Sequence, residues 1–191
     1  MHRATLTTGP ADCKRIDETR AVGSSIDLVV PTIAPLVDEW YRSTPAAIEG
    51  MPPHITLLWP WLPAPLADGA VERATQAVAG VERFTLVLRD TARFPGVLYL
   101  APEPRAPLDD LIARLGAAFP ETPPYGGQFG PAPVPHLTVA MSTDEAALDA
   151  VERALRPALS RPHIVDVDQV SISESGPDGR WRVRSAVHLA G

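Results

Sequence analysis

Short apolar runs alternate with amphipathic stretches in the first half of the chain, and prolines or glycines separate them. Residues 26–30 and 53–60 predict strands, because the first is an apolar run closed by proline and the second has no helical stripe. Residues 68–79 carry apolar side chains at helical spacing before Gly80, which predicts a helix. Another helix is predicted after Thr32, which could cap it.

The second half of the chain repeats this alternation with different side chains. Residues 84–88 and 97–100 predict two strands, and residues 107–119 predict a helix. The remaining predictions are a strand at 136–141, a helix with Leu148, Val151 and Leu155 on its inner face, and strands near 164–173 and 181–189. The order βαβαββ followed by αβαββ predicts an α+β fold of two sheets, with helices outside and two lobes related by a pseudo-twofold axis.

The length and composition of the chain are those of one compact domain. It has 191 residues, of which 45% are apolar, and this is enough for a buried core. Residues 1–23 show no sustained periodicity and are expected to form a flexible leader, with residues 24–191 forming a single bilobal domain. Neither a membrane span nor a secretory signal is visible, so we expect a cytoplasmic protein.

Charge and cysteine content narrow the class of ligand. The chain has 17 basic and 23 acidic side chains, a net charge of −6, which argues against the many phosphate contacts of a DNA-binding surface. A small anionic ligand in a local pocket is compatible with this charge. The single cysteine, Cys13, gives too few ligands for a Cys-based zinc site. We predict no cofactor, no membrane or DNA partner, and a monomer.

Two segments of the chain share one pattern of side chains. Pro53-His54-Ile55-Thr56-Leu57 and Pro135-His136-Leu137-Thr138-Val139 both read proline, histidine, apolar, threonine, apolar. Alternate side chains of a strand face the same side, so each strand presents one imidazole and one hydroxyl to a common face. A core has no reason to require two copies of His-x-Thr, so the repetition favours a functional pair over two structural histidines.

The polar side chains of these motifs suit acid–base chemistry at a phosphate. An imidazole titrates near neutral pH, and a pair of them can hold opposite protonation states at once. One ring can take a proton from water while the other gives a proton to a leaving oxygen, and the two hydroxyls can bond the non-bridging phosphate oxygens. We therefore predict a phosphodiester site whose catalytic residues are His54, His136, Thr56 and Thr138.

Other kinds of site find less support in the sequence. Neither strand supplies a third metal ligand and no His-Glu-x-x-His segment is present, so no metal site is predicted. The Gly-x-Ser-x-Gly turn of serine hydrolases and the glycine-rich loops that cradle nucleotides are absent as well. A non-catalytic module that binds nucleotides or RNA ends through the same four side chains stays open as the alternative.

The two motifs also give the chain a resemblance to a known family. Together with residues 93–100 and the loop at 125–129, they resemble the two-histidine (2H) phosphoesterases, which include the RNA 2',3'-cyclic phosphodiesterases, also called 2'-5' RNA ligases. The resemblance covers residues 25–190. It implies that the two His-x-Thr strands face each other across a central cleft. It also implies metal-independent opening of a cyclic phosphate, or transfer at a 2'-5' linkage, with the histidines as the acid–base pair.

Four further residues are candidates for substrate binding. Trp59, Tyr125 and Phe129 could stack on a nucleobase, and Arg93 could neutralise phosphate charge. The expected substrate is a nucleoside or RNA end that carries a 2',3'-cyclic phosphate, and related terminal or cyclic phosphates stay open. The sequence does not assign the acid and the base between the two histidines.

Overall fold

The computed structural model describes residues 23–43 and 49–191, so the leader predicted for residues 1–23 lies, except for Gly23, outside the described residues. Within them the strands are β1 (Ser24–Val29), β2 (His54–Leu58), β3 (Phe84–Phe94), β4 (Val97–Glu103), β5 (Leu137–Met141), β6 (His163–Val167), β7 (Gln169–Ser175) and β8 (Trp181–His188). The helices are α1 (Ala34–Tyr41), α2 (Ala70–Val78), α3 (Ala106–Ala118) and α4 (Glu145–Leu159).

The strands form one antiparallel sheet in the order β6-β3-β4-β5-β2-β1-β7-β8. The predicted α+β class is confirmed. The two predicted sheets are its two four-stranded halves, and they join where Ile55 of β2 pairs with Leu137 of β5. Because this is the one residue pair between β2 and β5, the halves are free to diverge on both sides of it.

The two halves of the sheet have matching connectivity. Read outward from the centre, β2 is followed by β1, β7 and β8, and β5 is followed by β4, β3 and β6. The unit β1-α1-β2 therefore corresponds to β4-α3-β5, as the predicted pseudo-twofold relation requires. Helix α1 packs on β5 and α3 packs on β2, so each helix covers the central strand of the other half.

The apolar residues of the central strands fix which face of the sheet carries the polar ones. Ile55 and Leu57 of β2, and Leu137 and Val139 of β5, are at most 1% exposed and belong to the core beneath the helices. Burial of such side chains stabilises the fold by about 1.5–3 kcal/mol each. Their neighbours in sequence must then project from the opposite face of the sheet, because side chains alternate along a strand.

One predicted strand is wrong as drawn from the sequence. The pattern at residues 164–173 indicates one strand, whereas the structure has β6 and β7 with a break at Asp168. β6 pairs with β3 at one edge of the sheet, and β7 lies between β1 and β8 in the other half. No proline or glycine marks this crossing between the two halves. At the break, the Asp168 carbonyl accepts a hydrogen bond of 2.8 Å from the Leu189 amide.

Candidate active site

The two His-x-Thr motifs lie beside each other at the centre of the sheet. His54 begins β2, and His136 directly precedes β5. Because Ile55 pairs with Leu137 in antiparallel register, Thr138 lies toward His54 and His136 lies toward Thr56. All four side chains are half-buried, which leaves them accessible from the face opposite the helices.

The register also brings the two imidazoles close together. Residues at diagonal positions of an antiparallel pair lie roughly 7–8 Å apart, and His54 and His136 occupy such positions. The charge of His54 reaches His136 and lowers the pKa of that ring. Two rings at this separation can contact opposite sides of one phosphate group.

Both imidazoles are held by the same backbone contact. Nδ1 of His54 lies 2.9 Å from the carbonyl oxygen of Pro52, and Nδ1 of His136 lies 2.9 Å from that of Val134. A carbonyl oxygen only accepts, so each Nδ1–H donates and the tautomer is fixed. The prolines between carbonyl and histidine restrict φ at this bend. Each neutral ring then keeps a free lone pair on Nε2.

Aromatic rings surround His136. The Phe94 ring meets it edge-on with centroids 5.1 Å apart, and the Tyr99 ring lies at 5.4 Å. Burial is the largest influence on this histidine and lowers its pKa, the Val134 carbonyl opposes this, and the His54 charge lowers the pKa further. The neutral form of His136 is therefore favoured, which is the form that can accept a proton.

The surroundings of His54 differ from those of His136. The Tyr41 ring lies edge-on to His54 with centroids 6.5 Å apart. On the neighbouring strand β1, Val29 pairs with His54 and Asp27 pairs with Thr56. An acidic side chain thus lies next to the first motif, in the strand that separates it from β7.

Asp27 is buried, with 1% of its surface exposed. Its Oδ2 accepts a hydrogen bond of 2.5 Å from the Ser25 hydroxyl. Burial raises the pKa of Asp27 and outweighs the charge of His54 and the hydroxyls of Ser25, Ser173 and Thr56, all of which lower it. The site therefore holds a carboxyl group that burial makes harder to ionise than an exposed aspartic acid.

Tyr125 is brought to the site by an unusual backbone conformation. Its φ of 52° lies in the left-handed region, which is strained for a bulky side chain. The Tyr125 amide donates to the Trp59 carbonyl at 2.6 Å. Burial raises the pKa of Tyr125 to about 12, with Asp27 adding to the rise and the Thr56 hydroxyl opposing it. The phenol therefore stays a donor beside Thr56.

The three aromatic candidates form a row in which Tyr125 lies between Trp59 and Phe129. The Trp59 and Tyr125 ring centroids are 6.1 Å apart, and those of Tyr125 and Phe129 are 5.5 Å apart. Phe129 is 60% exposed. Phe129 therefore presents an exposed aromatic face beside Tyr125.

Arg93 is not brought to the site. Its guanidinium forms ion pairs of 2.6 to 3.3 Å with Glu145, Asp149 and Glu152 of α4. These ion pairs hold the guanidinium on the face of the sheet that the helices cover. The histidines project from the opposite face. The candidate role of Arg93 as a phosphate ligand is therefore not supported by its position.

Four further residues lie around the histidines and were not predicted from the sequence. They are Asp27, Tyr41, Phe94 and Tyr99. For one of these residues, Asp27, the sequence contains a signal. Asp27 interrupts the apolar run of β1, and an acid within a strand expected to be buried calls for a partner. The three aromatic residues carry no such indication, because aromatic side chains are common in any core.

The described parts of the chain, residues 23–43 and 49–191, contain no cluster of three His, Cys, Asp or Glu side chains that could hold a metal ion. In the same residues no helix is both long and apolar enough to cross a bilayer.

Comparison with known proteins identifies relatives of the whole domain. The family model "2'-5' RNA ligase superfamily" matches residues 29–179. No curated protein sequence is similar enough to count as a match. Among solved structures, E. coli LigT complexed with NADP+ is 19% identical and has a TM-score of 0.53, with 90% of this chain and 99% of that chain covered.

Two other solved structures show the same likeness. One, described as a phosphoesterase, is 18% identical with a TM-score of 0.58, and covers 90% of this chain and 99% of its own. The protein TT0787 of Thermus thermophilus is 20% identical with a TM-score of 0.53, and covers 88% of this chain and 98% of its own. At these identities the structures share the fold with this chain.

Proposed function

The chain belongs to the 2'-5' RNA ligase superfamily, and from this premise we propose that it opens 2',3'-cyclic phosphates of nucleosides or RNA ends by acid–base catalysis. The observation that carries the proposal is the matched orientation of the two imidazoles. Both donate Nδ1–H to a carbonyl oxygen at 2.9 Å, from adjacent strands at the centre of the sheet. Each Nε2 is then available to a phosphate in the cleft.

The proposed hydrolysis assigns one role to each histidine. His136, whose pKa is lowered chiefly by burial, takes a proton from water as the water oxygen bonds to phosphorus. His54 gives a proton to the ribose oxygen as the bond from phosphorus to that oxygen breaks. The product is a nucleoside 2'- or 3'-monophosphate. In 2'-5' ligation the 5'-hydroxyl of a second RNA end takes the place of water and the two roles stay the same, and they exchange when a 2'-5' linkage is cleaved back to the cyclic phosphate.

The hydroxyl groups of the site suit the charge that develops on the phosphate. Thr56 and Thr138 project on the same face as the histidines and can donate to the non-bridging oxygens. Tyr125, a phenol with its pKa raised to about 12, stays protonated next to Thr56. These groups bind the anion more tightly as negative charge accumulates on it.

The aromatic row gives the substrate a place for its base. Trp59, Tyr125 and Phe129 are in edge contact, and the exposed face of Phe129 can stack on any base. E. coli LigT, which shares the fold, has been crystallised with 3'-AMP, and this supports a small nucleotide as the ligand. A monomer in the cytoplasm, acting without a metal or cofactor, stays part of the prediction.

The test is a product analysis with four nucleoside 2',3'-cyclic phosphates. The protein is treated with EDTA, incubated with each substrate, and the monophosphate isomers are separated by chromatography. We expect one isomer to form with undiminished rate after EDTA. The His54→Ala/His136→Ala double variant, prepared in the same way, controls for contaminating nucleases.

The same assay separates the enzyme from a binding module. A module that only holds nucleotides through these side chains would bind 3'-AMP in calorimetry and release no product from any cyclic nucleotide or from oligonucleotides ending in a 2',3'-cyclic phosphate. Binding without product would overturn the proposal.

A further inference from the structure

The two halves of the site differ at the position that faces each threonine from the neighbouring strand. Asp27 of β1 pairs with Thr56, whereas Tyr99 of β4 pairs with Thr138. These are corresponding positions in the matching units β1-α1-β2 and β4-α3-β5. The first half therefore has an acid where the second half has an aromatic ring, and the two-histidine chemistry does not use this acid.

The carboxyl of Asp27 is only partly satisfied by its surroundings. Oδ2 accepts from the Ser25 hydroxyl. Oδ1 is fully buried and makes no hydrogen bond of good geometry to a described residue, although the Thr56 and Ser173 hydroxyls lie near enough to lower the pKa of this carboxyl. An ionised carboxylate would be a charge buried among neutral hydroxyls, with that of Thr56 as a donor, and burying such a charge is costly. A proton on Oδ1 would make this atom a donor.

Resting on the proposed function, we propose that Asp27 is a positioning residue that is held as the neutral carboxylic acid and donates a hydrogen bond to the Thr56 hydroxyl, so that Thr56 donates its own proton to the substrate phosphate. Asp27 itself does not touch the substrate. It acts through Thr56, because it keeps the Thr56 hydroxyl oriented as a hydrogen-bond donor to the substrate phosphate.

A hydroxyl group has a single proton to donate. If Asp27 is ionised, Thr56 donates to the carboxylate and offers only lone pairs to the phosphate, which also accepts. If Asp27 is neutral, its O–H occupies a lone pair of the Thr56 oxygen, and the Thr56 proton is free to point at the phosphate. The neutral form also avoids a second negative charge close to an anionic substrate.

The groups that face Asp27 from each packed element allow this neutral form. β2 contributes His54 and Thr56, and the loop after α3 contributes Tyr125. β7 contributes the uncharged Ser171, which pairs with Asp27, and Ser173. Among them only His54 brings a positive charge, and burial outweighs it, so the pKa of Asp27 is raised.

The first experiment compares Asp27→Asn with Asp27→Ala in the cyclic nucleotide assay. The amide of asparagine can donate to Thr56 as the neutral acid does, so kcat/KM should stay within about threefold of the wild type. Alanine cannot donate, and kcat/KM should fall about 10- to 100-fold, as for loss of a hydrogen bond to a charged group. In a Thr56→Val background both substitutions should have little further effect.

A matched control exists on another strand pair. Thr85 donates to Asp166 at 3.0 Å across β3 and β6, and both residues are exposed. Asp166→Asn removes an acid from a cross-strand Asp–Thr pair without touching the cleft. It should leave kcat/KM unchanged.

The second experiment observes the proton directly. A protonated carboxyl group absorbs in the infrared at a frequency distinct from that of a carboxylate. The spectrum of the wild type minus that of Asp27→Asn should contain this band at neutral pH, and the band should vanish as the pH is raised through the Asp27 pKa. The difference against Asp166→Asn should show no such band at neutral pH.

Two results would overturn the inference. One is a carboxylate band for Asp27 at neutral pH. The other is an Asp27→Asn variant that is as impaired as Asp27→Ala, since the charge would then be the functional feature. If the wild type turns over no cyclic nucleotide, the proposed function fails, but the infrared band still decides the state of Asp27, and calorimetry with inorganic phosphate replaces the rate as the measure of anion binding.

Discussion

At the scale of single residues, orientation of the two imidazoles depends on carbonyl oxygens two positions earlier in the chain. The repeated Pro-His-x-Thr pattern makes this part of the site predictable, because a local turn and strand alternation need no knowledge of distant residues. Asp27 and Tyr99 could not be assigned in the same way. Their positions opposite the threonines depend on which strands become neighbours.

Phe129 is the residue whose role in binding is easiest to isolate. It is 60% exposed, so Phe129→Ala removes little from the core. Loss of base stacking, worth about 1–3 kcal/mol, should raise KM for cyclic nucleotides by at least about fivefold while kcat changes little. The measurement is steady-state kinetics, with the exposed Val183 changed to Ala as the control. An unchanged KM would remove Phe129 from the substrate site.

At the scale of elements, the apolar patterns located the strands and helices but not all of their ends. β3 runs from Phe84 to Phe94, past the predicted end at residue 88, because a register shift between Leu88 and Asp90 lets charged residues continue the ladder. The break at Asp168 was missed for a different reason. The apolar positions change phase there, from Val165 and Val167 to Val170 and Ile172, but no proline or glycine marks the point where the pairing partners change from β3 to β1 and β8.

Arg93 provides the test of a structural role at this scale. Its ion pairs with Glu145, Asp149 and Glu152 tie the end of β3 to α4. Arg93→Ala should lower the free energy of unfolding by about 1 kcal/mol, since the pairs are partly exposed. It should leave kcat/KM within about twofold of the wild type.

Urea unfolding and the cyclic nucleotide assay measure the two effects of the Arg93 substitution. Arg105→Ala is the control, because the exposed pair of Arg105, just before α3, with Asp109 should contribute less than about 0.5 kcal/mol. A tenfold loss of kcat/KM with unchanged stability would instead return Arg93 to the phosphate site.

At the scale of the whole molecule, matching strand order places the two motifs on the two central strands. The alternation of elements and the repeat of the motif were enough to predict two related halves. They did not reveal that the halves join into one sheet, because the join is a single residue pair between Ile55 and Leu137. This pair decides the geometry of the site, since it sets the two histidines on one face.

Turnover of a nucleoside 2',3'-cyclic phosphate by His54→Ala, His136→Ala and the double variant shows whether the two imidazoles serve one phosphorus atom. His163→Ala is the matched control, because His163 contacts a threonine, Thr32, at 3.0 Å on an exposed surface. If both rings act on one phosphorus atom, each single change should lower kcat by roughly 10²- to 10⁴-fold, and the double variant should be barely worse. His163→Ala should keep the wild-type rate. Either single variant at the wild-type rate, or two losses that multiply in the double variant, would contradict a shared site.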